Sequence, residues 1–309
     1  MSIGASLNRS AAIGSITVAV FLLALKSWAA WSTGSSAMLG SLADTALDLI
    51  ASVATLIGVW IGSTPPDEKH RFGHGKAEAI AALFQIVLIS ISAIGIAAHA
   101  IDRLIAGGRS QAAADGIGVS LAAIVVTLAL ITWQRHVIRK TGSLAIRTDN
   151  VHYQSDLLLN LAVIAALALD QFAGLAGADA VFGLLIAMWL AWGAWRASHV
   201  VIEQLMDREW PEEKKDRFLA VLASNPDITG VHDLRTRTSG NQDFVQFHVW
   251  VDPDMTVREA HRVMDTAEAR LRREFPDVEI LIHPDPEGLV NEVGRAAEDV
   301  LPPARPDTV

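Results

Sequence analysis

Six long apolar stretches, separated by short polar links, occupy the first two thirds of this 309-residue chain. The hydrocarbon core of a bilayer is about 30 Å thick, and a helix needs roughly 20 apolar residues to cross it. Each stretch reaches that length and carries few charges, so we expect six transmembrane helices. The expected spans are approximately residues 11–32, 36–61, 79–101, 113–134, 147–169 and 178–203.

The distribution of charge divides the chain into two environments. Charged residues make up 19% of the whole chain, whereas an ordinary soluble domain has about 25%. Asp, Glu and Arg become frequent only after Asp207. The sequence therefore predicts a transmembrane domain at residues 1–208, a soluble domain at 209–287 and a disordered tail at 288–309.

Net charge and cysteine content exclude several kinds of partner and site. The formal net charge is −9, and no basic patch is available to neutralise phosphates, so we expect no nucleic-acid partner. The chain has no cysteine, so disulfides and thiolate metal ligands are excluded. The first apolar stretch is too long for a signal-peptide core, and we expect it to be retained as a span.

The basic residues of the links predict the orientation in the membrane. Lys and Arg concentrate on the cytoplasmic side of multi-pass proteins. The links on one side of the predicted bundle, between spans two and three and between spans four and five, hold most of these residues. The links on the other side hold only Arg103 and Arg109. The N-terminus and the soluble domain are therefore expected in the cytoplasm.

The soluble domain reads as a compact α+β unit. Residues 211–224 begin with proline and acids, as helix N-termini do, and 256–275 are apolar at helical spacing. Residues 231–238, 244–251 and 278–283 have the composition or alternation of strands. The predicted order is α-β-β-α-β, with helices layered on a sheet.

Two pairs of ionisable residues lie inside predicted spans, where they are costly and mark function. Asp44 and Asp48 lie four residues apart in the second span, and His152 and Asp156 lie four apart in the fifth. Residues i and i+4 project from one helix face. Facing pairs would supply three carboxylates and an imidazole, suited to tetrahedral Zn²⁺ and tolerable for Fe²⁺, Co²⁺ or Cd²⁺. Polar helix packing and a metal-free proton relay are the alternatives.

Two further clusters lie outside the spans. In the link after the second span, Asp67, His70 and His74 could close on one ion, with nearby glycines letting the loop turn; a solvated charged loop is the alternative. In the soluble domain, a sheet could gather ligands around one or two ions, and independent surface histidines are the alternative. That third set is His232, His248, His261, His283 and Asp285.

These motifs resemble the cation diffusion facilitator family, and in particular its bacterial zinc/ferrous-iron efflux branch. The matching stretches are SLADTALDLI, DEKHRFGHGKAEAI, VHYQSD, LMDR, VHDLRTRTSG and LIHPDP. The resemblance implies a six-helix transmembrane domain, a cytoplasmic ferredoxin-like domain, a homodimer in the cell inner membrane and proton-coupled metal antiport. It assigns metal roles to all three clusters, with the third a binuclear site at the dimer interface.

The resemblance also pairs Lys76 with Asp207 as an ion pair between the membrane and soluble parts. Pro284 departs from the polar residue expected at its position; a proline can offer its carbonyl but no N–H.

The expected function is efflux of divalent transition metals from the cytoplasm by proton antiport, regulated by metal binding in the cytoplasmic domain. The metal ion is then both the transported substrate and the regulatory ligand. The candidate ions are Zn²⁺, Fe²⁺, Cd²⁺, Co²⁺ and Mn²⁺. We expect no organic cofactor and no catalytic residue. A membrane-tethered metal sensor is the main alternative, although it has no use for intramembrane carboxylates. A membrane metalloenzyme would need an open coordination position and a general base.

Overall fold

The chain forms two compact units, Met1–Ile202 and Glu203–Val309, and each is described by itself. Their division falls a few residues before the predicted domain boundary at residue 208. The computed structural model describes residues 3–33, 36–106, 116–173, 178–223, 228, 230–240, 242–287 and 299–301.

Six long helices build the first unit, and they overlap the six predicted spans. They are α1 (Ile3–Thr33), α2 (Ser36–Gly62), α3 (Lys76–Ala106), α4 (Gly116–Thr141), α5 (Leu144–Ala173) and α6 (Ala178–Leu205). Within the described residues, all except α5 are long and apolar enough to cross a membrane by length and composition. The first half of α5 is polar because it carries Arg147, Asp149, His152 and Asp156. The predicted helical membrane class is confirmed.

Helix packing in this unit places polar groups inside and apolar groups outside. Helix α1 packs on α2 and α4, α2 packs on α3, and α5 packs on α3 and α4. Helices α2 and α3 approach so closely at Gly58 that a Cβ there would clash with Ala81 Cβ. Ile94 and Trp192 are 70% and 62% exposed, whereas many hydroxyl and amide side chains are buried. Such a surface suits lipid, and such an interior can hold ions.

The second unit has the predicted α+β architecture. Its elements are α7 (Glu212–Ala223), β1 (Gly230–Ser239), β2 (Gln242–Val251), α8 (Val257–Glu274), β3 (Val278–Pro286) and β4 (Asp299–Leu301). Strand β1 pairs antiparallel with β2, and β2 pairs parallel with β3, with α8 forming the crossover connection. The predicted α-β-β-α-β order is confirmed.

The core of this unit lies between the two helices and one face of the sheet. Phe218 of α7, Leu271 of α8, and Phe247 and Val249 of β2 are fully buried there. Successive side chains of a strand point to opposite faces. His248, between Phe247 and Val249, therefore projects from the face that the helices leave uncovered.

Strand register aligns three histidines across that uncovered face. His232 of β1 is opposite His248 of β2, and His248 is opposite His283 of β3. The β1–β2 register shifts directly after His232, where Asp233 has a positive φ of 48°. A bulge of this kind twists a strand and re-aims the adjoining side chain.

The C-terminal tail differs in part from its predicted disorder. Residues 288–298 and 302–309 lie outside the described residues, but residues 299–301 form β4. This strand pairs antiparallel with β1 and gives the sheet order β3-β2-β1-β4. Without β4, β1 would present an edge of unpaired N–H and C=O groups, which attract an additional strand.

Candidate metal centres

The membrane unit brings together three of the four predicted transport ligands. Asp48 lies on α2, and His152 and Asp156 lie one turn apart on α5. His152 Nε2 is 2.9 Å from Asp48 Oδ1 and 3.9 Å from Asp156 Oδ2. One donor atom from each residue lies within 4.8 Å of the other two. Donor atoms that each lie about 2 Å from one metal ion are separated from one another by distances similar to those between these three side chains.

The backbone of Asp44 lies one helical turn before Asp48 on α2. Its side chain lies outside the described residues. The fourth ligand of the transport site therefore stays a prediction.

The link between α2 and α3 gathers its three predicted ligands. Asp67 Oδ1 is 3.2 Å from His70 Nδ1, and Asp67 Oδ2 is 3.3 Å from His74 Nε2. The two ring nitrogens are themselves 3.1 Å apart. The backbone N–H groups of His70 and Lys69 donate to the Asp67 carboxylate at 2.6 and 2.8 Å. These hydrogen bonds, that of His70 first, lower the pKa of Asp67.

The second unit brings together four of its five predicted ligands, with three histidines around one carboxylate. Asp285 Oδ2 lies 3.0 Å from His232 Nε2 and 2.8 Å from His248 Nδ1. Its other oxygen, Oδ1, lies 3.2 Å from His283 Nε2. Burial raises the pKa of Asp285, but hydrogen bonds with His248 and His232 outweigh it, so the pKa lies below its ordinary value. A carboxylate whose two oxygens face different histidines can bridge two metal ions.

Two neighbours support this cluster, and the sequence did not single them out. The ring of Trp250 stacks on His232, with centroids 4.1 Å apart, and so fixes the plane of the imidazole. Asp233 Oδ2 lies 3.8 Å from His248 Nε2 while its carboxylate also pairs with Arg235. Alternation along β2 could have indicated Trp250, two residues after His248. The approach of Asp233 depends on the bulge.

His261 is apart from this cluster within the single chain. It lies on α8, whose Met264 and Leu271 pack into the core on the other face of the sheet. Its side chain is 75% exposed and pairs with Asp265 at 3.5 Å. Its role as a ligand stays a prediction.

The predicted ion pair between Lys76 and Asp207 also stays a prediction, because the two residues belong to different units. Asp207 has a positive φ of 58°, and its Oδ1 lies 3.5 Å from Arg237 Nη1 within the second unit.

Two buried carboxylates of the membrane unit were missed by the sequence reasoning. Glu78 on α3 accepts hydrogen bonds from Ser143 Oγ at 2.5 Å and Asn8 Nδ2 at 3.4 Å. Asp149 on α5 is fully buried among neutral donors. Their place inside or beside predicted spans was the available signal, because intramembrane acids indicate function.

Comparison with known proteins identifies the family. Residues 12–206 match the cation efflux transmembrane domain, and residues 210–287 match the cytoplasmic domain of cation efflux proteins. The cation-efflux pump FieF of Cronobacter sakazakii is 41% identical over 276 residues, covering 89% of this chain and 92% of that protein. FieF of Klebsiella pneumoniae is 41% identical over 280 residues, covering 91% and 93%.

A solved structure is also similar to part of this chain. The metal-bound C-terminal domain of the CzcD transporter from Thermotoga maritima is 29% identical, with a TM-score of 0.24, and covers 25% of this chain and 92% of that chain.

These matches define a multi-pass membrane protein with a cytoplasmic α+β domain. The chain belongs to the cation diffusion facilitator family, as its motifs predicted. By family it is a cation-efflux transporter rather than an enzyme.

Proposed function

We propose that the protein exports divalent transition-metal ions from the cytoplasm in exchange for protons. One observation carries the proposal: donor atoms of Asp48, His152 and Asp156 converge within 4.8 Å inside a helical unit with an apolar exterior. Asp44, one turn before Asp48, would complete an Asp₃His set. Ionisable groups at such a position are costly unless they act on an ion or a proton.

The ligand types admit several metals. Zn²⁺ accepts four oxygen and nitrogen ligands in a tetrahedral arrangement. Carboxylates discriminate weakly among divalent ions, so Fe²⁺, Cd²⁺, Co²⁺ and Mn²⁺ are further candidate substrates. The name cation-efflux pump, which the relatives carry, agrees with transport of ions of this kind.

Proton exchange follows from the chemistry of the same ligands. Carboxylates and imidazole bind a metal only when deprotonated, so metal entry releases protons and protonation releases metal. His152 Nε2 and Asp48 Oδ1 lie 2.9 Å apart, a hydrogen-bond distance that requires one proton between them. A metal bound to both atoms would displace that proton. An inward proton gradient would then drive metal outwards.

The cytoplasmic cluster is proposed to regulate transport as part of a homodimer. Asp285 presents Oδ2 to two histidines and Oδ1 to His283, which suits two bridged ions. Because His261 lies on the other layer of its own unit, it could reach the cluster only from a second copy of the chain. Metal shared between copies would favour one dimer arrangement and thereby bias the transport equilibrium.

The remaining proposals concern the orientation in the membrane, the loop cluster and the ion pair between the two units. The basic links support an inner-membrane protein with both termini in the cytoplasm. In that orientation the Asp67–His70–His74 loop samples cytoplasmic metal. A Lys76–Asp207 ion pair would transmit changes between the two units.

The test is metal flux in proteoliposomes. Purified protein should accumulate Zn²⁺ in the vesicles faster when the vesicle lumen is more acidic than the outside, because protons then leave as metal enters. Parallel runs with Fe²⁺, Cd²⁺, Co²⁺ and Mn²⁺ give the selectivity. Asp48→Ala should abolish the flux. Asp102→Ala, which removes an exposed carboxylate of α3, is the matched control and should leave it unchanged. Metal binding without flux would instead identify a membrane-tethered sensor.

A further inference from the structure

A buried carboxylate outside the proposed metal ligands lies one turn from the transport cluster. Asp149 is 0% exposed on α5, three residues before His152. Its Oδ1 accepts a hydrogen bond from Gln85 Nε2 of α3 at 2.9 Å. Its Oδ2 accepts from Gln134 Nε2 of α4 at 2.7 Å and from Ser15 Oγ of α1 at 2.6 Å. No Lys or Arg forms an ion pair with it in the part of the chain that the structure describes.

The surrounding hydrogen bonds can satisfy this carboxylate in both charge states. When it is ionised, all three neighbours donate to it. When Oδ2 is protonated, its O–H can donate to Ser15 Oγ, and the serine hydroxyl can turn to the Ala11 carbonyl oxygen, 3.1 Å away. Gln134 Nε2 then keeps an acceptor in Ser15 Oγ at 3.0 Å. A charge change therefore leaves no buried donor of this set unpaired.

A chain of three amides links the carboxylate to an exposed cation. Arg135 Nη2 donates to Gln154 Oε1 at 3.1 Å, and Gln154 Nε2 donates to Asn150 Oδ1 at 2.6 Å. Asn150 Nδ2 donates to Gln134 Oε1 at 2.9 Å, and Gln134 donates to Asp149. Each amide accepts through oxygen and donates through nitrogen, so their dipoles align and stabilise the ionised carboxylate. This stabilisation makes the ionised state accessible although no cation touches it.

Gln85 adds an acceptor at the same place. Its Nε2 faces Asp149 Oδ1 and Thr55 Oγ1, which fixes the orientation of the amide. Its Oε1 is buried and accepts no hydrogen bond from the described residues. If a hydrogen-bond donor lies beside the carboxylate, Gln85 Oε1 can accept a hydrogen bond from it.

We infer that Asp149 is a second proton-binding site, separate from the metal ligands, whose charge is coupled to metal occupancy of the transport cluster. The inference rests on the metal/proton exchange proposed above. A divalent ion at His152 and Asp156 favours the ionised carboxylate, so metal binding expels its proton to the aqueous phase. Protonation of Asp149 removes a negative charge that attracts the metal. It therefore weakens metal binding by the same factor by which bound metal weakens proton binding to Asp149. The site adds a proton to the exchange without occupying a coordination position.

The charged and titratable groups around the site make this coupling specific. On α5 they are His152 and Tyr153, each of which interacts electrostatically with Asp149, and on α4 the cation is Arg135 at the end of the amide chain. Asp48 of α2 and Asp156 of α5 are the further charged groups, and both face His152. The side chains that contact Asp149 itself from α1, α3 and α4 are neutral: Ser15, Gln85 and Gln134.

The test counts protons released per metal ion bound. Isothermal titration calorimetry of the full-length protein with Zn²⁺, in two buffers of different ionisation enthalpy, gives this number directly. Asp149→Asn should lower it by up to about one proton per ion, weaken Zn²⁺ binding several-fold and flatten the pH dependence of the affinity. Asp102→Asn, the control, makes the same change at an exposed carboxylate of α3 outside this set and should leave the number unchanged. Equal proton release by Asp149→Asn and the unaltered protein would overturn the inference.

Ser15→Ala provides a second test should Asp149→Asn fold poorly. It removes the hydroxyl that donates to the ionised carboxylate, and hydrogen bonds to a charged group are the stronger ones. The pH at which Zn²⁺ affinity rises should therefore move upwards, with proton release retained. An unmoved pH profile would contradict a titrating Asp149.

Asp48→Ala separates failure of the inference from failure of the proposed function. If Asp48→Ala leaves Zn²⁺ binding unchanged, the transport site is misassigned and the inference falls with it. If Asp48→Ala removes one class of Zn²⁺ site while Asp149→Asn alters nothing, only the inference fails. In the Asp48→Ala background, adding Asp149→Asn should not change the protons released by the remaining sites.

Discussion

The membrane and cytoplasmic units bring together carboxylates and imidazoles in opposite proportions. The described donors of the membrane cluster are two carboxylates and one imidazole, whereas three imidazoles surround a single carboxylate in the cytoplasmic cluster. Carboxylates inside a membrane require a counter-charge, which either a metal ion or protons can provide. Imidazoles are neutral when deprotonated. The first arrangement suits exchange, and the second suits retention of metal.

The two clusters also differ in how their ligands are held. Asp48 and the His152–Asp156 pair belong to different helices, which can shift relative to each other without breaking backbone hydrogen bonds. His232, His248 and His283 are fixed in one row by strand pairing. A ligand set that must open and close is expected on helices, and one that must stay assembled is expected on a sheet.

The largest effect expected from this comparison is loss of transport in Asp156→Ala. The substitution removes one charged member of the proposed Asp₃His set, so proteoliposome flux should be abolished while the protein stays a folded dimer by size-exclusion chromatography. Asp285→Ala, the equivalent change in the cytoplasmic cluster, should slow flux without abolishing it. Near-normal flux in Asp156→Ala would break the assignment of exchange to the membrane cluster.

His152→Asp should change selectivity rather than abolish transport. It replaces the imidazole with another carboxylate, and an all-oxygen site is harder and favours Mn²⁺ relative to Zn²⁺. The pH profile should change too, because a ligand that is neutral when deprotonated becomes an anion. Parallel Zn²⁺ and Mn²⁺ flux measurements from pH 6 to 8 check both points. An unchanged Mn²⁺/Zn²⁺ ratio would show that His152 does not touch the metal.

A third, intermediate effect concerns metal retention by the cytoplasmic unit. A fragment of residues 209–290 contains the buried core around Phe218 and Phe247 and should fold alone. Zn²⁺ at about a hundred times Kd should stabilise it by roughly 2.7 kcal/mol, seen as a rise in Tm that a chelator reverses. His283→Ala and Asp285→Ala should remove most of the rise.

Asp254→Ala, an exposed acid outside the cluster, is the control for that measurement and should keep the full shift. If the Tm of the fragment does not respond to Zn²⁺, the row of three histidines is a solvated surface and not a metal site.

Much of the fold could be predicted because its signals are local. Apolar length alone located six helices, and the i, i+4 spacing of His152 and Asp156 placed both on one face of α5. The histidine row was harder, since its members come from three strands and meet only through the pairing of β1 with β2 and β2 with β3. Strand β4 could not be predicted, because three residues beyond a polar segment carry no local strand signal.

Buried polar packing was the least predictable part of the site. Asp149 lies in a predicted span that already held two candidate ligands, and its position in that span was the local signal. Its importance depends on Ser15, Gln85 and Gln134, which come from three other helices. His261 is the converse case, because the sequence analysis grouped it with the other histidines of the soluble domain, whereas its own unit places it away from the cluster.

The smallest expected effect separates stability of the cytoplasmic unit from metal binding. Thr256 caps α8 in a reciprocal arrangement: its hydroxyl accepts from Glu259 N at 3.3 Å, and its backbone N–H donates to Glu259 Oε2 at 2.9 Å. Thr256→Ala removes an N-cap and should lower the stability of the fragment by about 1 kcal/mol, whereas Thr256→Ser should restore most of it. Because the cap lies on the helical layer and the metal cluster lies on the opposite face of the sheet, the Zn²⁺-dependent rise in Tm should be the same in both variants. Calorimetric melts with and without Zn²⁺ measure both quantities. A cap variant that also lost the Zn²⁺ response would show that the two faces of the sheet are coupled, and that the cytoplasmic cluster is not the rigid counterpart of the exchanging membrane site.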